Sequence, residues 1–138
     1  MQIREATVED IPAMHRIRLS VRENTLPSPD LITPVHYEKA LANGCGWVVE
    51  SDSRVVGFAF GLSTGNVWAL FVDPSYEGRG YGSALHGVLV AWLEQHAQQP
   101  IWLSTNLNTR AEAFYRARGW QDCGIVASGE RRFEWAKP

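Results

Sequence analysis

One short segment joins an apolar strand to a helix through a loop rich in glycine. Its sequence is FVDPSYEGRGYGS over residues 71–83, with Gly78, Gly80 and Gly82 within five positions. Backbone N–H groups at the start of a helix lack intrahelical acceptors and carry partial positive charge, and glycine lets an anion approach them closely. The segment therefore predicts a binding site for a phosphate group.

Spacing distinguishes the known kinds of phosphate loop. A P-loop needs a lysine directly after its last glycine, where this chain has Ser83. A dinucleotide fingerprint needs G-x-G-x-x-G and an acidic residue about 20 positions later, but these glycines are evenly spaced and residues 101–105 contain no acidic side chain. The three glycines could also serve only a tight turn between strand and helix. Such a turn usually needs one glycine, however, and each extra glycine lowers the stability of the fold by roughly 0.5 to 1 kcal/mol.

The elements that position this loop follow from hydrophobic periodicity and from turn residues. The strand before the loop is apolar on both faces, which predicts a place in the middle of a covered sheet. Residues 24–34 contain three prolines and form a candidate substrate lip. We expect strands at 2–6, 47–50, 55–60, 67–72, 101–105, 120–126 and 130–135, and helices at about 11–21, 35–42, 85–93 and 109–118.

Size and charge indicate one class of protein. The 138 residues predict a single domain, 1–138, and the net charge of −2 gives no basic surface for nucleic acid or anionic membranes. No apolar run approaches the ~20 residues that span a bilayer, so we expect a cytoplasmic protein that acts on a small molecule. Cys45 and Cys123 form no C-x-x-C pair and are expected to be buried, and the histidines show no metal-ligand spacing.

Two motifs together resemble the GNAT superfamily of N-acetyltransferases. The first is VDP at 72–74 with EGRGYG at 77–82, which resembles the family's acetyl-CoA pyrophosphate loop. The second is NTRAEAFYRARGW at 108–120, which resembles the helix that follows in that family. The resemblance covers nearly the whole chain and implies an α/β (α+β) fold: one mixed central sheet of six or seven strands, an antiparallel N-terminal meander, and about four helices on both faces.

The resemblance also implies the donor and its contacts. Acetyl-CoA would be the co-substrate, with no metal. The pantetheine arm would bond the backbone of the strand before the loop like an added strand, and the loop amides would hold the pyrophosphate. Homodimers are common in the family, so a homodimer is one expected state. The cofactor-binding residues expected on this basis are Leu70, Phe71, Val72, Gly78, Arg79, Gly80, Tyr81, Gly82, Ser83 and Asn108.

Tyr115 matches the family's general acid, which protonates the departing thiolate. Tyrosine with a pKa near ~10 stays protonated at neutral pH, and a positioned acid contributes about 10²- to 10⁴-fold. From periodicity alone, Tyr115 shares a helical face with Ala111 and is expected to be a core aromatic residue. The motif favours the catalytic role.

The general base has no clear counterpart in the sequence. Neither strand beside the pyrophosphate helix carries a carboxylate, and Leu103 stands about where the ribosomal-protein type of enzyme has its glutamate. The candidates are Glu23, which we favour, Glu50, His36, or a water chain that ends at Ser104 or Thr105. Two functions stay open: N-acetyl transfer to a primary amine of a small molecule or peptide, and a non-catalytic acyl-CoA sensor.

Overall fold

The computed structural model describes residues 1–136 and contains the expected seven strands and four helices. The expected combination of α and β elements is therefore confirmed. The strands are β1 (Gln2–Glu5), β2 (Gly44–Ser51), β3 (Arg54–Leu62), β4 (Val67–Val72), β5 (Ile101–Thr105), β6 (Gln121–Ile125) and β7 (Arg131–Trp135). The helices are α1 (Ile11–Ser20), α2 (Pro34–Ala42), α3 (Tyr81–His96) and α4 (Arg110–Ala117).

Hydrogen bonding divides the strands into two sheets. The first is antiparallel in the order β1-β2-β3-β4, and the second is antiparallel in the order β5-β7-β6. One parallel bridge, between Asn66 and Trp102, connects them. The prediction that β4 lies in the middle of a sheet is wrong, because β4 is the last strand of its sheet. Its apolar pattern arises from helices that cover both of its faces.

Each face of the first sheet has its own core. Helices α1 and α2 bury Met14, Ile17 and Tyr37 against Phe58 and Phe60 on one face. Helix α3 covers the opposite face and packs there together with α4 and the second sheet, through three fully buried leucines, Leu85, Leu89 and Leu93. Their spacing along α3 is the helical period that predicted this buried face.

Local sequence signals place the ends of α1 and α4. A capping box between Thr7 and Asp10 precedes α1, in which the Thr7 N–H donates to the Asp10 carboxylate at 2.8 Å. The Thr109 side chain caps α4 by accepting from the Glu112 N–H at 3.2 Å. Gly119, with φ 88°, follows the end of α4 as its sequence position predicted.

The cysteines only partly match expectation. Cys45 is half-buried in β2, and burial raises the pKa of its thiol to about 11. Cys123 is exposed in β6, so the prediction that it is buried is wrong; in the described chain nothing packs closely over either face of β6, in which four of the five residues are exposed. Within residues 1–136, no helix has the length and apolar character that crossing a membrane would require.

Candidate functional site

A cleft opens between β4 and β5. The two strands begin side by side at the Asn66–Trp102 bridge, and in the described chain no further hydrogen bond joins them. Because the bridge is parallel, both strands end on the same side of the molecule. The glycine loop that begins α3 follows the end of β4, and the turn that begins α4 follows the end of β5. The separation of these two strands thus leaves a gap lined by two helix N-termini.

One edge of β4 faces this gap. Asp73 donates its N–H to the Val56 carbonyl at 2.8 Å, and residues of an antiparallel strand alternate in the direction of their polar backbone groups. Phe71 therefore pairs with Phe58 of β3, whereas Leu70 and Val72 direct their N–H and C=O groups into the cleft. The expected pantetheine-binding strand thus offers two residues of free backbone, and Phe71 offers its side chain on the α1 face.

Two of the three glycines are required by backbone conformation. Gly78 has φ 76° and Gly80 has φ 86°, and Gly80 is the residue directly before α3. A Cβ atom at either position would contact nothing within 4 Å, so their φ angles rather than crowding demand glycine. Two glycines of the loop are thereby explained by the turn alone.

Gly82 has a different reason to be glycine. It lies inside α3, and a Cβ atom there would lie 3.6 Å from the Phe114 ring and 3.8 Å from the Val72 side chain. These are ordinary contacts, so packing does not exclude a side chain. The absent side chain instead keeps open the space between the end of β4 and α4, directly at the helix N-terminus.

The other predicted loop residues differ in what they present. The Arg79 guanidinium lies 5.1 Å from the Tyr76 ring, on the exposed side of the loop. Tyr81 is buried and donates its hydroxyl to Ser51 at 3.0 Å, which leaves only its backbone for a ligand. Ser83 accepts a hydrogen bond from Arg118. Positive side chains therefore lie on both sides of the loop.

Tyr115 is a buried ring with a hydroxyl that has no hydrogen-bond partner among residues 1–136. Its ring lies 5.5 Å from Trp120 and 6.2 Å from Phe133, so it is part of the aromatic core, as periodicity predicted. Burial raises the pKa of Tyr115, and the nearby charge of Arg118 opposes this shift only in part. The phenol therefore keeps its proton throughout the neutral range.

His86 is neutral and lies beside Tyr115 in the same aromatic cluster. The Trp120 Nε1–H donates to His86 Nε2 at 2.9 Å, which requires an unprotonated nitrogen at that position. Burial, together with the nearby charge of Arg118, lowers the pKa of His86 to about 4. Because Nε2 is occupied by Trp120, His86 serves the packing of α3 against the second sheet.

The three ionisable base candidates all take part in structural hydrogen bonds. Glu23 accepts from the Arg110 N–H at 2.8 Å, at the first residue of α4. Glu50 pairs with Arg4 at 2.7 Å, between β2 and β1. His36 Nδ1 accepts from the Thr33 N–H at 2.9 Å, which caps α2. Only Glu23 lies at the end of the cleft where α4 begins.

The proline-containing lip is tied to the end of β5. Asn24 Oδ1 accepts from the Asn106 N–H at 2.8 Å and from the Thr105 hydroxyl at 3.2 Å. Asn108 is exposed and has φ 58°, a conformation that asparagine adopts more readily than most residues. The lip, the end of β5 and the start of α4 therefore form one hydrogen-bonded unit.

Arg110 also links α4 to the glycine loop. Its guanidinium forms an ion pair with Glu77, three residues before Gly80. The same residue donates its backbone N–H to Glu23 of the lip. Arg110 was not singled out from the sequence, and it joins the lip, α4 and the glycine loop at one end of the cleft.

Sequence reasoning also missed Arg18, which lines the α1 side of β4. Its guanidinium lies 4.4 Å from the centre of the Phe71 ring. The sequence position of Arg18 could have revealed it. Arg18 is seven residues after Ile11 and four after Met14, so it lies on the buried face of α1. Trp68 and Arg18 line one narrow slot on this face of β4, whereas Trp47 and Trp120 belong to the core on the α3 side.

Comparison with known proteins gives a family match over most of the chain. The model of the Acetyltransferase (GNAT) family matches residues 11–120. Peptidyl-lysine N-acetyltransferase YiaC of Escherichia coli (strain K12) is 28% identical over 134 residues, covering 87% of this chain and 88% of YiaC.

Solved structures share the fold at lower identity. Ribosomal-protein-alanine N-acetyltransferase from Brucella melitensis has a TM-score of 0.81 at 21% identity, covering 99% of this chain and 100% of that one. PaiA N-acetyltransferase from Thermoplasma acidophilum, solved in complex with coenzyme A, has a TM-score of 0.83 at 13% identity, covering 99% and 98%. These matches establish a common architecture.

Proposed function

Because the chain belongs to the GNAT family of acetyltransferases, we propose that it transfers an acetyl group from acetyl-CoA to a primary amine by direct attack. One observation carries the proposal: the free edge of β4 and the glycine turn before α3 face the same cleft. An extended pantetheine arm needs the first feature, and a pyrophosphate needs the second.

The donor would lie along β4 with its pyrophosphate at α3. The free N–H and C=O groups of Leu70 and Val72 would pair with the amides of the pantetheine arm. Amides of residues 78–83 would bind the pyrophosphate, with Arg79 adding positive charge, and Asn108 would contact the cofactor from the start of α4. A hydrogen bond to a charged acceptor contributes roughly 1.5 to 3 kcal/mol, so a few such amides supply much of a micromolar affinity.

The transfer step requires an acid and an oxyanion donor. The amine nitrogen attacks the thioester carbon, the C–N bond forms, and the C–S bond breaks in the collapse of the tetrahedral intermediate. Of the two free amides of β4, the Leu70 N–H lies farther from the pyrophosphate loop, and its bond to the thioester end of the arm would stabilise the oxyanion. Tyr115 would donate its proton to the departing thiolate and recover one from solvent. Proximity of the bound amine and thioester supplies the remaining rate enhancement.

The acceptor amine must lose a proton before or during attack. An alkylamine with a pKa of about 10.4 is mostly protonated at neutral pH. Glu23 is exposed at the cleft end, but its bond to Arg110 supports a role as an anchor of the lip. We therefore assign proton removal to water near Ser104 and Thr105, with Glu23 as the competing base.

The acceptor we propose is a lysine side chain of a peptide. YiaC, which is similar over 87% of this chain, is named a peptidyl-lysine N-acetyltransferase. The hydrophobic Leu103, at the position where the ribosomal-protein type carries glutamate, argues against an N-terminal alanine acceptor. We place the reaction in the cytoplasm, and the homodimer common in the family is testable by sedimentation equilibrium.

A thiol-release assay tests the proposal. Acetyl-CoA is incubated with the protein and a panel of lysine peptides, amino acids and small amines, while free CoA thiol and acetylated product are measured together. The proposal expects thiol and product in equal amounts for at least one acceptor. Binding of acetyl-CoA without release for every acceptor would instead support an acyl-CoA sensor, the alternative motivated by the absence of a carboxylate on β4 and β5.

A further inference from the structure

Arg18 is half-buried and makes no ion pair with a carboxylate among residues 1–136. Its Nη1 atom is buried and has no hydrogen-bond partner within residues 1–136. Burial lowers the pKa of Arg18, and the neighbouring Tyr37 opposes this shift only in part. Leaving a buried charged group without a partner is costly, and a ligand that pairs with Nη1 would remove that cost.

Other arginines show that this arrangement is unusual in the chain. Arg16, two residues earlier in α1, is exposed and donates to the Val55 carbonyl at 2.8 Å. Most of the remaining arginines lie within 4.0 Å of a carboxylate. The arginines in such ion pairs are Arg4, Arg54, Arg110, Arg116, Arg131 and Arg132.

The place of Arg18 connects it to the proposed transfer site. Its guanidinium stacks on Phe71, and the residues on either side of Phe71 direct their backbone groups into the cleft. Phe71 lies on the α1 face of β4, opposite the α3 face against which Leu70 and Val72 pack. A molecule that approaches the cleft from the α1 side therefore passes Arg18.

We propose that Arg18 binds a carboxylate of the acceptor, so that the preferred acceptor carries an acidic group close to the amine that is acetylated. This inference rests on the proposed function and specifies the acceptor class. A guanidinium binds a carboxylate through two parallel hydrogen bonds, which gives both affinity and orientation. The carboxylate source is an acidic residue beside the target lysine, or the carboxylate of a free amino acid.

The slot beside Arg18 is closed without a ligand. Its volume is about 10 Å³, which is room for about one water molecule. Its walls include Ile32, which belongs to the lip and to neither a helix nor a strand. An incoming carboxylate therefore enters by displacing the lip at Ile32, while α1 and β4 keep their places.

Matched acceptor pairs test the proposal and separate the two sources. The first pair is a lysine peptide with glutamate next to the lysine and the same peptide with glutamine there. The second pair is a free amino acid and its carboxamide. With wild-type protein, the acidic member of at least one pair is expected to have a kcat/KM roughly 10- to 100-fold higher than its neutral partner.

Variants of Arg18 then assign the preference to this residue. Arg18→Met keeps the aliphatic stem and is expected to abolish the preference by lowering kcat/KM on the acidic member to about the value on the neutral member. Arg18→Lys retains the charge and is expected to keep part of the preference. The control Arg16→Gln is expected to behave as wild type. Equal loss on both members, or a preference that survives Arg18→Met, overturns the proposal and leaves a bound water or packing as the role of Arg18.

Binding measurements keep this test distinct from the test of transfer. If no acceptor releases thiol, the same pairs are titrated into the CoA-bound protein by calorimetry. A tighter dissociation constant for the acidic member that disappears in Arg18→Met supports the carboxylate site and contradicts catalysis. Equal binding of both members overturns the site. Because Arg18→Met removes a half-buried charge that has no carboxylate partner among residues 1–136, its melting temperature is expected to equal or exceed that of the wild type.

Discussion

Glu23 accepts a 2.8 Å hydrogen bond from the backbone N–H of Arg110, which ties the loop after α1 to the first residue of α4. That N–H is one of the helix-terminal donors that have no intrahelical partner. A carboxylate at a helix N-terminus is also stabilised by the helix dipole. The acidic side chain that the sequence favoured as a base thus holds the rim of the cleft.

Glu23 variants separate the anchor from the base. Glutamine retains an oxygen that accepts from the Arg110 N–H, but it cannot remove a proton. We therefore expect Glu23→Gln to keep kcat within about threefold of wild type and Glu23→Ala to raise KM for the acceptor, because a lost hydrogen bond of about 1 kcal/mol loosens the lip. A loss of kcat in Glu23→Gln of about 100-fold, with a changed pH profile, would identify Glu23 as the base.

Tyr115→Phe isolates the acid step. The ring keeps its contacts with Trp120 and Phe133, and the hydroxyl it loses has no partner among the described residues. We expect kcat to fall by more than about tenfold, with little change in the dissociation constant of acetyl-CoA and in the melting temperature. Steady-state thiol release and calorimetry measure the two quantities. Unchanged turnover would remove Tyr115 from the mechanism.

Gly82→Ala distinguishes a ligand cradle from a simple turn. The helical position tolerates a Cβ atom, so we expect the free energy of unfolding to stay the same or rise by up to about 1 kcal/mol. The new methyl group lies between Val72 and Phe114, so CoA affinity should fall roughly tenfold or more through loss of a charged hydrogen bond.

Two further glycines are the controls for that experiment. Gly87→Ala, also in α3 with open space around the Cβ position, should leave CoA affinity unchanged. Gly80→Ala should cost roughly 1 to 2 kcal/mol of stability, because its φ is 86°. If Gly82→Ala binds CoA as the wild type does, the space in front of α3 is not the pyrophosphate site.

The neutral His86 predicts a loss of stability in mild acid. Its pKa is about 4 in the folded protein and 6.5 in the unfolded reference, so the unfolded chain binds more protons between these values. The free energy of unfolding should therefore fall as the pH decreases from 6.5 to 4, by up to about 3 kcal/mol. Urea unfolding at several pH values measures this dependence.

His86→Gln is the matched variant for the pH experiment. Its side-chain oxygen still accepts from the Trp120 indole but does not titrate. Between pH 6.5 and 4, the free energy of unfolding should fall less in His86→Gln than in the wild type. The carboxylates of the protein contribute equally to both curves. Parallel curves for the two proteins across this pH range would contradict the assignment.

The glycine loop and its helix were predictable from local residue types. The run of Gly78 and Gly80 before a helix with Leu85, Leu89 and Leu93 encodes both the turn and the buried face. The free edge of β4 was implied by the family resemblance, whereas the periodicity of β4 predicted the opposite. Side-chain pattern reports whether faces are covered, and it carries no information about which backbone edge is paired.

Long-range contacts account for what the sequence did not reveal. Glu23 and Arg110 are 87 residues apart in the chain, and neither has a local sequence signal for the other. Arg18 had a signal, an arginine on an apolar helical stripe. Its meaning needed the structure, because only there does its lack of a carboxylate partner become visible.

Backbone amide exchange of β4, followed by NMR with and without saturating CoA, shows directly whether the donor binds along this strand. We expect the amides of Leu70 and Val72 to exchange readily in the free protein and to become protected when CoA is added, because the pantetheine arm pairs with them. The amide of Phe71, which already faces Phe58, should be protected in both states. Unchanged exchange at Leu70 and Val72 with CoA bound would contradict a donor held along the free edge of β4.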